Sequence, residues 1–156
     1  AEKSHIADDV KIWMNKEDVK DRIVVGGDYS IDQKAIDSLR KDIAADGITE
    51  IKRNVKVVKG GNIQETNAAV INEFHKTSNA LLIAQDNNLV DALAAGPLAA
   101  KINAPVVLGT NNITESQKNA IKDLGLNMAK GQKVYHVGHG VARSVVKFIE
   151  RLCTYK

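Results

Sequence analysis

The sequence predicts an α/β fold in which helices flank a parallel β-sheet. Two short apolar runs, at 80–84 and 106–108, have the length and composition of strands that are covered on both faces. Between them, at 89–100, small and apolar residues recur every three or four positions, which is typical of a helix. A helix that joins two buried strands forms a βαβ unit with parallel strands. The polar residues 85–88 then follow the first strand at its carboxyl end, where open α/β sheets place ligands.

Residues 1–50 are predicted to form a helix, a strand and a second helix. The strand is expected at 22–27, where an apolar run ends in two glycines. Four residues fall on one face of the first helix: Ile6, Val10, Trp13 and Met14. The second helix is predicted to start near Asp32, a suitable N-cap residue, and to carry five apolar residues: Ile31, Ala35, Ile36, Leu39 and Ile43.

The same order of elements returns near the C-terminus, which indicates an internal repeat. Val10 and Ile23 are separated by thirteen positions, and so are Ile121 and Val134. We therefore predict that residues 1–50 are the C-terminal half of a preceding module and that residues 54–156 form a complete module. Half a module cannot bury its apolar face alone. We expect residues 1–50 to pack against residues 54–156 or against another chain that completes them.

The complete module is predicted to contain four strands, each followed by a helix. The strands are expected at 55–58, 80–84, 105–109 and 133–138. A series of this kind favours one parallel sheet with helices on both faces. Pro97 lies inside the helix between the second and third strands, and we expect a kink or a restart there because proline lacks the N–H donor.

Composition restricts the classes of protein that this chain can belong to. Of 156 residues, 44% are apolar and 26% are charged, which is ordinary for a globular domain. The sequence contains no apolar run near the ~20 residues that a membrane-spanning helix needs. The formal charge of +3 is too small to require a nucleic-acid partner. The single cysteine, Cys153, excludes an internal disulfide.

The turn Gly138-His139-Gly140, between a predicted strand and a predicted helix, has two interpretations. Backbone amides at a helix N-terminus suit an anion, and Arg143 could close over it. Alternatively, glycine is needed there only for a tight backbone turn. A dinucleotide fingerprint is disfavoured because the third glycine is missing.

Reactive chemistry and metal binding receive little support from the sequence. His136 and His139 have no cysteine or carboxylate nearby at the spacing of zinc ligands. The chain has no Gly-x-Ser-x-Gly or P-loop pattern, and its serines have no recognisable base partner. We therefore predict neither an enzyme nor a bound cofactor or metal.

The run LVDALAAGPLAAK at 89–101, followed by APVVL at 104–108, resembles the signature of the cell-wall-binding repeat 2 modules of Gram-positive surface proteins, including S-layer proteins. The resemblance implies a non-catalytic, Toprim-like module that works in sets of about three. It also implies a secreted protein of the cell wall or S-layer that binds an anionic secondary wall polysaccharide without covalent attachment. Glu65 and Thr66 fit the family pattern, but Val57, Ile63 and Gln64 stand where arginines and a tyrosine are expected.

We expect the polymer to contact loops at the carboxyl ends of the strands. The residues predicted to bind it are Lys59, Asn62, Gln85, Asp86, Asn87, Thr110, His139 and Arg143, with Lys101 as an outlier. Two other functions stay open. One is a structural module that packs against sibling modules in an S-layer assembly and has no polymer site of its own. The other is a small flavodoxin-like nucleotide-binding protein.

Overall fold

The structure is a computed structural model, and it describes residues 4–27 and 29–154. The chain forms two compact units, Ala1–Lys59 and Gly60–Lys156, which are called unit 1 and unit 2. Both units contain strands and helices, and the two alternate throughout unit 2, which confirms the predicted α/β class. In the part of the chain that the structure describes, no helix is long and apolar enough to cross a membrane.

Unit 1 contains two short sheets and two helices. Its elements are α1 (Asp8–Lys16), β1 (Asp21–Val25), α2 (Gln33–Ser38), β2 (Lys41–Ile43), β3 (Glu50–Lys52) and β4 (Asn54–Val58). Strands β1 and β4 are parallel, with Asp21 opposite Asn54 and Val25 opposite Val58. Strands β2 and β3 form an antiparallel pair. The core consists of Ile6, Val24, Ala35, Ile36, Leu39 and Val55.

The prediction of the second helix was right at its start and wrong at its end. The Asp32 side chain caps α2 by accepting a 3.1 Å hydrogen bond from the Ala35 N–H. The helix ends at Ser38, however, and Ile43 lies in β2. The reason is that the Leu39 carbonyl accepts from the Arg22 guanidinium over 2.8 Å, and the Arg40 carbonyl accepts from the backbone N–H of Arg53 over 2.7 Å. A helix that continued to Ile43 would need the Leu39 carbonyl for the Ile43 N–H, and Arg22 already occupies that carbonyl.

The first predicted helix also differs from expectation at its N-terminal end. Ile6 is buried in the core of unit 1, but it precedes α1, which begins at Asp8. Helix α1 buries none of its residues, and Trp13 is exposed.

Unit 2 is built on a three-stranded parallel sheet. Its elements are α3 (Ile63–Phe74), β5 (Ala80–Ala84), α4 (Val90–Ile102), β6 (Val106–Leu108), α5 (Glu115–Asp123), a 3₁₀ turn (Met128–Lys130), β7 (Lys133–His136) and α6 (Arg143–Leu152). The strand order is β6-β5-β7, and both pairings are parallel. The expected βαβ unit is present as β5-α4-β6. The expectation of a fourth strand in this sheet was wrong, because β4 pairs with β1 in unit 1.

Strand β5 is buried along its whole length because helices cover both of its faces. Leu81 and Ile83 pack in a core with residues of α3, α5 and α6. Leu82 points the other way and packs against Ala95 and Ala99 of α4. The small side chains of α4 let that helix lie close to the sheet. Helix α4 continues through Pro97, so of the two expected outcomes, a kink or a restart, the restart does not occur.

Candidate functional site

Three loops follow the strands of the unit 2 sheet at its carboxyl ends, and together they form the candidate site. We call residues 85–89, 109–114 and 137–142 the carboxyl edge. Asp86 connects the first two loops, because its carboxylate accepts a hydrogen bond from the Thr110 hydroxyl. The Thr110 carbonyl in turn accepts from the Ala142 N–H over 2.7 Å, which brings in the third loop. The βα order of the chain thus collects polar residues from distant positions.

Helix α3 contributes Gln64 to the same cluster. The Gln64 side-chain nitrogen donates to the Asp86 carboxylate over 2.6 Å and to the Asn112 carbonyl over 3.3 Å. Gln64 is in the first turn of α3, so this end of the helix faces the carboxyl edge. Asp86 is therefore held by both an amide and a hydroxyl, which fixes its orientation.

Gly138 and Gly140 are packed closely against a second polar pair at the carboxyl edge. The Gln85 side-chain nitrogen donates to Asp91 over 3.2 Å. A Cβ atom on Gly138 would collide with the Asp91 carboxylate, and a Cβ atom on Gly140 would collide with the Gln85 side-chain oxygen. Both glycines also have positive φ, at +76° and +95°. Backbone geometry and close packing thus account for these glycines without a ligand.

Most of the predicted site residues lie at the carboxyl edge or beside it. Gln85, Asp86 and Thr110 are half-buried and engaged in the hydrogen bonds described above. Asn87 and His139 are exposed in the first and third loops, and the exposed Arg143 begins α6. These three side chains are accessible to a ligand in this structure.

The other three predicted residues have different positions. Asn62 is the N-cap of α3, where its side-chain oxygen accepts from the Glu65 N–H over 2.8 Å. Lys59 is the last residue of unit 1. Lys101 lies in the last turn of α4, a helix that leaves the carboxyl end of β5 and returns to the start of β6. Lys101 is therefore at the amino end of the sheet, away from the carboxyl edge.

The charges at this edge are mixed. Asp86 and Asp91 are anionic, whereas Arg143 is the cationic side chain among the predicted residues of this edge. Amides and hydroxyls supply the remaining polar groups. Such a surface suits the hydroxyl groups of a sugar, which both donate and accept hydrogen bonds. A negatively charged substituent is favoured beside Arg143 and is repelled beside Asp86 and Asp91.

Gln64 and Asn112 contribute to the site but were not predicted. Gln64 was noted only as a departure from the family pattern. The signal that could have found it is its place in the first turn of a helix that follows a strand, since such turns face the carboxyl ends of parallel strands. In the described part of the chain, no three His, Cys, Asp or Glu side chains converge in a way that could hold a metal ion.

A parallel sheet with helices on both faces and a polar, glycine-bearing carboxyl edge defines unit 2 as a module of the α/β class. Residues 58–144 match the family described as Cell wall binding domain 2 (CWB2). This match covers more than half of the chain, so the chain belongs to that family and contains a cell-wall-binding module. The resemblance seen at 89–108 is therefore confirmed.

Two solved structures from Clostridium difficile, Cwp8 and Cwp6, are similar to this one. Cwp8 gives a TM-score of 0.75 at 26% identity, over 96% of this chain and 24% of Cwp8. Cwp6 gives a TM-score of 0.79 at 26% identity, over 99% of this chain and 23% of Cwp6. The chain thus spans about a quarter of the length of these two proteins. A comparison with curated protein sequences finds no match.

Proposed function

We propose that this chain anchors a secreted surface or S-layer protein to the cell wall. In this proposal the carboxyl edge of unit 2 binds an anionic secondary wall polysaccharide without covalent attachment, and about three such modules act together in the parent protein. Membership of the Cell wall binding domain 2 family supports the wall as the target. The position of the edge at the carboxyl ends of parallel strands supports the location of the site.

The observation that carries the proposal is the hydrogen-bonding surface built around Asp86. Gln64 and Thr110 hold Asp86 in place, while Asn87 follows it in the first loop and Arg143 directly follows the third loop, both with exposed side chains. Sugar hydroxyls can bond to the amides and carboxylates, and one charged substituent can pair with Arg143. Binding of this kind requires no nucleophile and no proton transfer, so we propose a passive module without catalysis.

The expected strength of one edge explains why several modules are needed. An exposed ion contact contributes roughly 0.2–1 kcal/mol. A micromolar complex requires about −8 kcal/mol. Linking several weak sites along a repeating polymer raises the effective concentration of each further contact. We therefore expect weak binding by the isolated chain and strong retention by a set of linked modules.

Wall polymer purified from Clostridium difficile, the source of the two similar structures, is the probe for a direct test. The parent chain is compared with Arg143→Ala and with the double variant Asn62→Ala/Asn87→Ala by affinity electrophoresis. Lys122→Ala, on α5 beyond the carboxyl edge, is the control for a lost positive charge. Migration of each protein is compared with its own migration in a gel without polymer. We expect the polymer to retard Arg143→Ala and Asn62→Ala/Asn87→Ala less than the parent, and to retard Lys122→Ala as much as the parent. Equal retardation of all four proteins would contradict the assignment of the site. Absence of retardation of the parent would contradict the proposed polymer binding.

A second candidate is the structural module that packs against sibling modules, and the surface of α4 favours it. This helix is apolar on nearly all sides, although Val90 and Leu93 are 65% and 76% exposed. Helices of that composition are normally covered. In unit 1, the outward side chains of β1, Ile23 and Val25, are also exposed on a sheet of two strands. Sheets of two strands are marginal alone.

This second candidate also accounts for the predicted half-module at 1–50, which a sibling module or another chain would complete. Sedimentation of the chain with a fragment carrying a neighbouring module tests it. The double variant Val90→Lys/Leu93→Lys should abolish association, whereas Lys101→Glu, on the same helix, should leave it intact. Failure of the parent chain to associate would count against this candidate.

A further inference from the structure

A cavity of about 270 Å³ lies between α5 and α6, next to the carboxyl edge. Its lining consists of Asn112, Ile113, Lys118, Ser144, Val145 and Phe148. All six residues belong to unit 2. The volume is slightly below the usual range for pockets that hold drug-sized ligands, so the cavity has room for one small ring rather than for an oligomer.

The lining combines an apolar surface with a few polar groups. Ile113 and Val145 are buried and belong to the core, whereas the Phe148 ring is 38% exposed. The Lys118 ammonium lies 5.5 Å from the centre of the Phe148 ring, at the distance of a cation–π contact. Asn112 and Ser144 add an amide and a hydroxyl. Apolar walls with a few polar groups are typical of sites for small organic ligands.

The cavity is continuous with the candidate site. Asn112 lines the cavity, and its carbonyl accepts the hydrogen bond from Gln64, which also holds Asp86. Ser144, on the opposite side, directly follows Arg143. The residues that line the cavity are thus direct neighbours, through a hydrogen bond or along the chain, of residues in the candidate site.

We propose that this cavity is a subsite for a single sugar ring of the wall polymer, one that carries a negatively charged substituent. The ring packs on Phe148, its hydroxyls bond to Asn112 and Ser144, and the charged substituent pairs with the Lys118 ammonium. The inference rests on the proposed function, since it takes the wall polymer as the ligand. It makes Lys118 a second cationic contact besides Arg143. It also specifies that the polymer must contain a sugar ring with a negatively charged substituent.

The ion pair of Lys118 makes the proposal sharply testable. Lys118 is 2.8 Å from Glu115, whose side chain is 69% exposed while that of Lys118 is 31% exposed. Glu115 therefore competes with an anionic ligand for the ammonium group. Replacing Glu115 by glutamine frees Lys118 and removes a repelling charge. This change should tighten binding, which loss of structure alone would not do.

The test measures affinity for purified Clostridium difficile wall polymer by biolayer interferometry in low salt. We expect Lys118→Gln to weaken binding up to about fivefold and Glu115→Gln to strengthen it by about the same factor. Phe148→Leu should weaken binding by about threefold to tenfold. The matched controls are Lys130→Gln in the 3₁₀ turn and Asp123→Asn on α5, which change charge outside the cavity, and Phe74→Leu on α3. Each control should stay within about twofold of the parent.

The possible outcomes separate the two proposals. If the parent binds and Arg143→Ala weakens binding while the three cavity variants match their controls, the subsite is wrong and the proposed function stands. If the parent does not bind, both fail. Should Phe148→Leu not fold, amide NMR of the parent with short polymer fragments gives the second measurement. Shifts at Asn112, Lys118 and Ser144 support the subsite, and their absence at saturating fragment overturns it.

Discussion

The side-chain nitrogen of Gln117 donates to the side-chain oxygen of Asn67 over 2.9 Å, and both residues are buried in unit 2. The Asn67 oxygen also accepts from the Leu108 N–H over 3.0 Å, and its nitrogen donates to the Val106 carbonyl over 2.7 Å. Gln117 completes the cluster by donating to the Leu108 carbonyl over 2.7 Å. The side chain of Asn67 thus pairs with the outer edge of β6 as a neighbouring strand would, and this edge is closed.

Removal of either amide should destabilise unit 2. Asn67→Ala leaves the Val106 carbonyl and the Leu108 N–H without these partners, which should lower the free energy of unfolding by about 2–4 kcal/mol. Gln117→Ala should have an effect of similar size, and the double variant should cost less than the sum because the two share one bond. Urea denaturation followed by circular dichroism measures these values. Asn72→Ala, on the exposed face of α3, is the control, and a loss equal to that of the control would contradict the prediction.

A buried ionic cluster should make unit 1 sensitive to acid. The Asp42 carboxylate accepts from Arg22 over 2.5 Å and from Arg53 over 2.6 Å, and all three residues are buried. Burial alone would raise the pKa of Asp42, but the hydrogen bonds from the two arginines outweigh it and lower that pKa. A carboxyl group with a lower pKa in the folded state stabilises the fold above its unfolded pKa of about 3.9. This stabilisation is lost as pH falls through the folded value.

Trp13, the single tryptophan of the chain, lies in unit 1 and reports on this unfolding. We expect its fluorescence to change below about pH 4. Asp42→Asn should cost about 3–5 kcal/mol at neutral pH, because it leaves the buried Arg22 without its anion and leaves Arg53 with Asp18 alone. It should also flatten the acid transition. Asp9→Asn, on the exposed surface of α1, should behave like the parent. A variant Asp42→Asn with unchanged acid sensitivity would refute the assignment.

A comparison of Gly138 with Gly131 distinguishes two ways in which an added side chain destabilises the fold, namely an unfavourable positive φ and a steric clash. Gly131 has a φ of +85°, and no atom of the described residues lies within 4 Å of the place that its Cβ would take, whereas at Gly138 the Asp91 carboxylate already occupies that place. Gly131→Ala should therefore cost about 1–2 kcal/mol from backbone conformation alone. Gly138→Ala should cost about 1–3 kcal/mol more because of overpacking. Adding Asp91→Ala to Gly138→Ala should recover that difference in thermal unfolding experiments, and no recovery would show that Asp91 is not the cause.

The sequence allowed the centre of unit 2 to be predicted because its signals are local. The apolar run of β5 is short and uninterrupted, and the small residues of α4 repeat at helical spacing. The end of α2 could not be predicted in this way. Ile43 continues the apolar pattern of the helix, but the Leu39 carbonyl that the Ile43 N–H would need accepts instead from Arg22, 17 positions before Leu39 in the sequence. Long-range polar bonds of this kind leave no periodic signal.

In the candidate site, too, the features with local sequence signals could be predicted and those that depend on long-range contacts could not. The sequence placed Gln85, Asp86 and Thr110 together because each follows a predicted strand, and parallel strands bring their carboxyl ends to one edge. The hydrogen bond between Gln64 and Asp86 spans 22 positions and depends on how α3 packs. The cavity beside Phe148 depends on the spacing of α5 and α6, which only the folded structure defines. The sequence pattern of strands thus predicted which loops form the site, whereas the packing of the helices determines which side chains contact each other.

Cys153 should be unreactive in the folded protein and should report on the opening of unit 2. It is 1% exposed in the core of that unit, and burial raises the pKa of its thiol to about 11. Since the thiolate is the reactive form, labelling by a disulfide reagent at pH 8 should be slow until the core opens. In denaturing urea the same thiol should react at once. Asn67→Ala should speed up labelling in proportion to its loss of stability, whereas Asn72→Ala should not. Fast labelling of the folded parent would show that the end of α6 is open in solution.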